Sequence, residues 1–102
     1  MVFVHEGQKY DMDEAALVAE PKYYHLWTCG VHARERLVRL WRIANRFIGE
    51  LEVAVKVPVK GKWEEYTYVD WRMLSQDTVD EIANQTQDAR LLAVIPLAGA
   101  AA

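Results

Sequence analysis

The chain has 102 residues with 52% hydrophobic and 26% charged side chains and a formal net charge of −3. That balance suits one folded domain with its own core and excludes an intrinsically disordered chain. A single cysteine excludes an internal disulfide, and no apolar run approaches the roughly 18 residues that a membrane-spanning helix needs. The first residues, MVFVHEGQKYD, lack the basic region and long apolar core of a secretion signal, so a reducing, cytoplasmic location is expected. The charge is unevenly spread. Residues 31–62 hold eight Lys/Arg against three acids, and acidic segments flank them on both sides. Such a chain either neutralises itself on folding or presents separate patches.

Val2–His5 and Gln8–Tyr10 around Gly7 read as a small hairpin. Asp11 with Glu14 has the form of a capping box, which predicts a short helix through Ala15–Ala19 that Pro21 stops. Lys22–Cys29 is too short and too aromatic for a helix. It predicts a strand, and because both of its faces carry large groups, a central one.

Val31 to Ile48 gives the strongest helical pattern. At 100° per residue Ala33, Leu37, Leu40, Trp41, Ala44, Phe47 and Ile48 gather on one side, with Gly49 as the stop. Arg39, Arg42 and Arg46 gather on the other side with Glu35. Leu51, Val53, Val55, Val57 and Val59 then alternate with Glu52, Ala54, Lys56 and Pro58, the clearest strand signal in the chain. A three-residue loop Lys60-Gly61-Lys62 returns the chain through Trp63–Trp71, pairing Val59 with Trp63, Val53 with Val69 and Leu51 with Trp71. Pro58 cannot donate to a ladder, so its strand is expected at an edge. Ser75 caps a helix with Val79, Ile82, Ala83 and Thr86 on its apolar stripe. The run Arg90–Leu97 has strand length.

From Lys22 onward the order is β-α-β-β-α-β, which predicts an α+β, ferredoxin-like fold: a four-stranded antiparallel sheet with two helices on one face. Residues 1–21 add a hairpin and helix, 22–97 form the core, and 98–102 are a tail of small residues.

Such a sheet leaves its second face free, and that face carries Tyr66 and Tyr68 or Trp63 and Trp71 rather than polar groups. Aromatic and Arg side chains are those that interfaces favour. The expected function is therefore a non-enzymatic interaction or assembly subunit that binds another protein or itself. It acts through Trp63, Tyr66, Tyr68 and Trp71 on the sheet and Arg39, Arg42 and Arg46 on the helix. Single-stranded nucleic acid is the alternative partner, since sheet aromatics stack bases. Against it, the basic-Gly-aromatic signature of such sheets is absent and Glu64, Glu65 and Asp70 interleave the aromatics. A third possibility is a thiol or metal site on His25, Cys29 and His32, where H-x3-C-x2-H offers three ligands but no second cluster completes them. Binding of a small ligand in an aromatic pocket also remains open. No cofactor is predicted.

Overall fold

The computed structural model describes residues 1–21, 24–28 and 33–95, and the backbone alone for 24–28. Seven strands come first: β1 (Val2–His5), β2 (Gln8–Asp11), β3 (Ala16–Ala19), β4 (Tyr24–Thr28), β5 (Ala33–Ile43), β6 (Arg46–Val59) and β7 (Lys62–Leu74). Two helices follow, α1 (Gln76–Thr86) and α2 (Ala89–Leu92). β1 and β2 form a separate hairpin through Glu6 and Gly7, both with left-handed backbone. The main sheet is antiparallel in the order β3–β5–β6–β7, and β4 shares with β3 the outer edge of β5. The fold is therefore not ferredoxin-like. The three long strands are consecutive, no helix lies between them, and both helices come after the last strand.

The segment predicted as a helix over 31–48 is the chief correction. It forms β5, a turn at Ala44-Asn45 and the start of β6, with Ile43 opposite Arg46. The cause lies in one extra residue. Leu37 pairs with Leu51 and Arg39 with Glu50, so Val38 is a β-bulge. The bulge puts Leu37 and Leu40, three apart, on the same sheet face, both fully buried. Three-residue spacing is a helical signature, and here a strand produces it. Gly49 is not a helix stop but an interior strand residue. A Cβ there would lie 2.9 Å from Leu37 Cδ1 and 3.0 Å from Leu74 Cδ1, so its absence lets those two leucines close over the strand.

Other expectations shift for related reasons. Asp11 does cap a turn, accepting from the Asp13 amide, but only a three-residue 3-10 turn (Met12–Glu14) precedes strand β3 rather than a helix. β4 is a strand as predicted, yet it lies at an edge rather than centrally. The apolar run Arg90–Leu97 does not form a strand: its residues 90–92 lie in α2, capped by Asp88, and residues 96 and 97 lie outside the described residues. The Ser75-capped helix forms as expected, with Val79, Ile82 and Ala83 buried.

The β6–β7 loop has two residues, not three. Val59 pairs with Lys62, and Lys60 (φ 49°) and Gly61 (φ 76°) take the left-handed conformations that a tight hairpin demands. The true pairs are thus Val53 with Tyr68 and Leu51 with Asp70. Pro58 sits in a central strand, but opposite Trp63 its nitrogen points toward the β5 side. The described part of β5 begins at Ala33 opposite Val55, so among the described residues no β5 partner lies opposite Pro58.

The sheet has an inner face with Leu37, Leu40, Phe47, Leu51, Val53 and Leu74, and an outer face with Trp41, Ile48, Glu50, Glu52 and Trp71. The core is at one end of the inner face. There Leu37, Leu40, Phe47 and Leu74 join Ala19 of β3, Val79, Ile82 and Ala83 of α1, and Leu91 of α2. Burying each of the larger side chains contributes about 1.5–3 kcal/mol. The far ends of β6 and β7 run on, paired to each other, beyond the described part of β5. The extents of 58 × 30 × 20 Å and radius of gyration of 15.7 Å, against about 13 Å for a compact chain of this length, reflect it.

The packing over Gly49 gives a direct test. Gly49→Ala lowers stability by about 1–3 kcal/mol in urea unfolding, because the added methyl must displace Leu37 and Leu74. A gain of about 0.5–1 kcal/mol, the ordinary result of replacing a strand glycine, would contradict this packing.

Candidate functional site

The two edges of the sheet differ. On the β5 side the covering strands are short and irregular: β3 shifts register between Leu17 and Ala19, and β4 between His25 and Trp27. On the other side β7 runs thirteen residues with unbroken pairing to β6, no proline and no bulge. In a two-residue hairpin the residues flanking the loop form a hydrogen-bonded pair. Counting from Val59 and Lys62, the even-numbered residues of β7 bond to β6. Trp63, Glu65, Thr67, Val69, Trp71 and Met73 direct their N–H and C=O groups away from the sheet. Residues 62–69 are all exposed, and Trp63, Tyr66, Tyr68 and Val69 leave half or more of their surface in solvent. An edge of this length is ordinarily blunted, so its openness marks it as the candidate site.

The four predicted aromatics all lie on this strand and divide between its faces. Tyr66 and Tyr68 are on the inner face, opposite Val55 and Val53. Trp63 and Trp71 are on the outer face, opposite Pro58 and Glu50. The three arginines do not form a strip. Arg39 donates to Glu20 (3.3 Å) and to Glu50, whose other oxygen accepts from Trp41 Nε1 at 3.1 Å. Arg42 lies on the opposite face from Arg39, its guanidinium 5.4 Å from the Phe47 ring centroid. Arg46 is exposed at the start of β6. With no helix to align them, a shared docking face is lost.

Two features the sequence did not announce hold the strand in place. Arg72 of β7 forks onto Glu35 of β5, both nitrogen–oxygen distances 2.8 Å, and reaches Asp70 at 3.1 Å. The Glu35 carboxylate is almost wholly buried, and these hydrogen bonds hold the Arg72 guanidinium above its ordinary pKa. This clamp crosses β6 and fixes three strands together. Its only trace in the sequence is a carboxylate among arginines, which a helical reading assigns to a solvated face. On the outer face, Arg34, Arg36, Glu52, Glu65 and Thr67 line a shallow depression of about 170 Å³. Arg36 pairs with Glu52 at 3.0 Å and Arg34 with Glu65 at 3.9 Å, so the depression neutralises itself across strands.

Cys29 and His32, and the side chain of His25, lie outside the described residues. Among the described residues no group of three His, Cys, Asp or Glu could hold a metal ion, and no helix is long and apolar enough to cross a membrane. No protein family, curated protein or solved structure matches the chain. The candidate site therefore rests on geometry alone: an open backbone edge bearing aromatic side chains on both faces.

One electrostatic detail of the site can be measured. The Tyr66 hydroxyl donates to Glu64, two residues along the same face, and loses that bond on ionising, so its pKa lies above 10.0. The folded state thus favours the protonated phenol. The contribution is present below pH 10 and is lost as the pH rises through the folded value. In ultraviolet titration, the difference between wild type and Tyr66→Phe places this phenol above 10, and Glu64→Gln returns it toward 10. An unchanged midpoint in Glu64→Gln would show that the bond does not form in solution.

Proposed function

We propose that this chain is a protein-interaction domain that binds its partner by strand addition along β7. The observation that carries this reading is the thirteen-residue regular edge strand, exposed over residues 62–69 and flanked by Trp63, Tyr66, Tyr68 and Val69. Main-chain bonds from the outward residues supply affinity in this mode of recognition, and alternating side chains supply specificity. Trp and Tyr are the anchors that such interfaces favour. The far ends of β6 and β7, beyond the described part of β5, make the strand accessible over residues 62–69. Bound nucleic acid has less support. Glu64, Glu65 and Asp70 lie between the aromatics, and Arg39 is already held by Glu20 and Glu50.

The test uses a photoreactive phenylalanine analogue placed at Trp63 or Tyr68 in cells expressing the chain, with the exposed Asn84 of α1 as the control position. Covalent protein adducts form at 63 and 68 and not at 84. They disappear in Thr67→Pro, which removes an outward N–H while leaving the β6 ladder intact. Adducts equal at all three positions, or unaffected by Thr67→Pro, would overturn strand addition at this edge.

A further inference from the structure

The sequence of β7 specifies its own partner. We infer that the strand added to β7 is β7 of a second copy of this chain, antiparallel and centred on Tyr68; this rests on the strand-addition reading above.

Two copies related by a two-fold axis normal to the sheet must place a residue opposite one of the same parity. Outward residues then meet outward residues, as a ladder requires. Centring on Tyr68, the middle of the strand Lys62–Leu74, overlaps all thirteen residues. Trp63, Glu65 and Thr67 then exchange main-chain bonds with the partner's Met73, the partner's Trp71 and the partner's Val69, and the reciprocal three do the same. Every outward N–H and C=O of the strand is paired.

The side chains in this register complement one another. On the inner face Glu64 lies opposite the partner's Arg72, whose guanidinium the partner's Glu35 and the partner's Asp70 already hold, twice by symmetry, and Tyr66 lies opposite the partner's Asp70. These are the closer-spaced, non-hydrogen-bonded pairs, where opposite charges gain most. Tyr68 meets the partner's Tyr68 at the axis. On the outer face Trp63 meets the partner's Met73, a favourable sulfur–aromatic contact, and Thr67 meets the partner's Val69. The neighbouring register, centred on Thr67, sets Lys62 against the partner's Arg72 and Glu64 against the partner's Asp70. Every charged pair on the inner face then becomes a like-charge pair, which is unfavourable. Centring on Tyr66 or Val69 leaves one end of the strand unpaired. Charges on an edge strand ordinarily prevent pairing. Here they select one pairing, and the product is a continuous sheet through both molecules.

Cysteine cross-linking reads the register. In a Cys29→Ser background with oxidised glutathione as the electron acceptor, Tyr68→Cys gives near-complete disulfide dimer. Thr67→Cys or Val69→Cys alone stays at background, and a mixture of the two cross-links. Light scattering on the unsubstituted chain gives twice 11.8 kDa in the micromolar range. Thr67→Pro returns it to monomer with an unchanged circular dichroism spectrum, so the mass remains informative if a cysteine variant does not fold. A monomer by mass, or preferential cross-linking of Thr67→Cys, overturns the inference. If the chain is monomeric while Trp63 and Tyr68 still photo-cross-link to a foreign protein, self-pairing fails and strand addition stands. If neither adduct nor dimer forms, both fail.

Discussion

The unpaired residue at Val38 governs this structure. Without it β5 would alternate strictly, and either Leu37 or Leu40 would face away from the core. With it, Leu37 and Leu40 both reach the cluster formed with Phe47, Leu74 and the two helices. The same offset leaves Glu35 on the inner face, where Arg72 meets it, while Arg34, Arg36 and Arg39 go to the outer face with Glu52 and Glu50. One extra residue thus sets both the apolar core and the ionic cross-links of the sheet.

The distribution of charge along the chain follows from this arrangement. The basic segment 31–62 and its acidic neighbours are brought together by sheet pairing. Arg34 meets Glu65, Arg36 meets Glu52, Arg39 meets Glu20 and Glu50, and Arg72 meets Glu35 and Asp70. Exposed pairs of this kind contribute little each to stability. Their effect here is on register, since a slip of one residue between β6 and β7 would set Asp70 against Glu50 or Glu52. The Glu35–Arg72 fork is the strongest of them, because the carboxylate is buried and the geometry bidentate. The bulged, short strands on one side and the long regular strand on the other leave a sheet protected at one edge and open at the other.

Much of this was legible in the sequence, and what was not has identifiable causes. The valine alternation from Leu51 to Val59, the Gly7 hairpin and the Ser75 cap are local signals, and each produced its element. β5 was hidden because a bulge after Leu37 and a tight turn at Ala44-Asn45 together imitate helical spacing. Arg, Leu, Glu and Ala are also good helix formers, a preference that pairing with β6 overrides. Ala44, with φ 52°, gives no turn signal because alanine seldom takes that conformation. Lys60 is equally uninformative beside Gly61, and that cost one residue of register. The apolar run after Asp88 fits strand and helix alike, and only the cap and the burial of Leu91 decide it. The aromatics of the candidate site were visible as residues. Their division between two faces of one edge strand was not, because it depends on the register.

Residue-resolved amide hydrogen exchange along β7, read below the concentration at which two chains pair, where light scattering gives the 11.8 kDa monomer, tests the open edge and its register together. The amides of Glu64, Tyr66, Tyr68 and Asp70, bonded to β6, exchange slowly, and those of Glu65, Thr67, Val69 and Trp71 exchange fast. Uniformly slow exchange would mean that another segment of the same chain already covers the edge. An inverted alternation would mean that β7 pairs one residue out of step, with its faces exchanged.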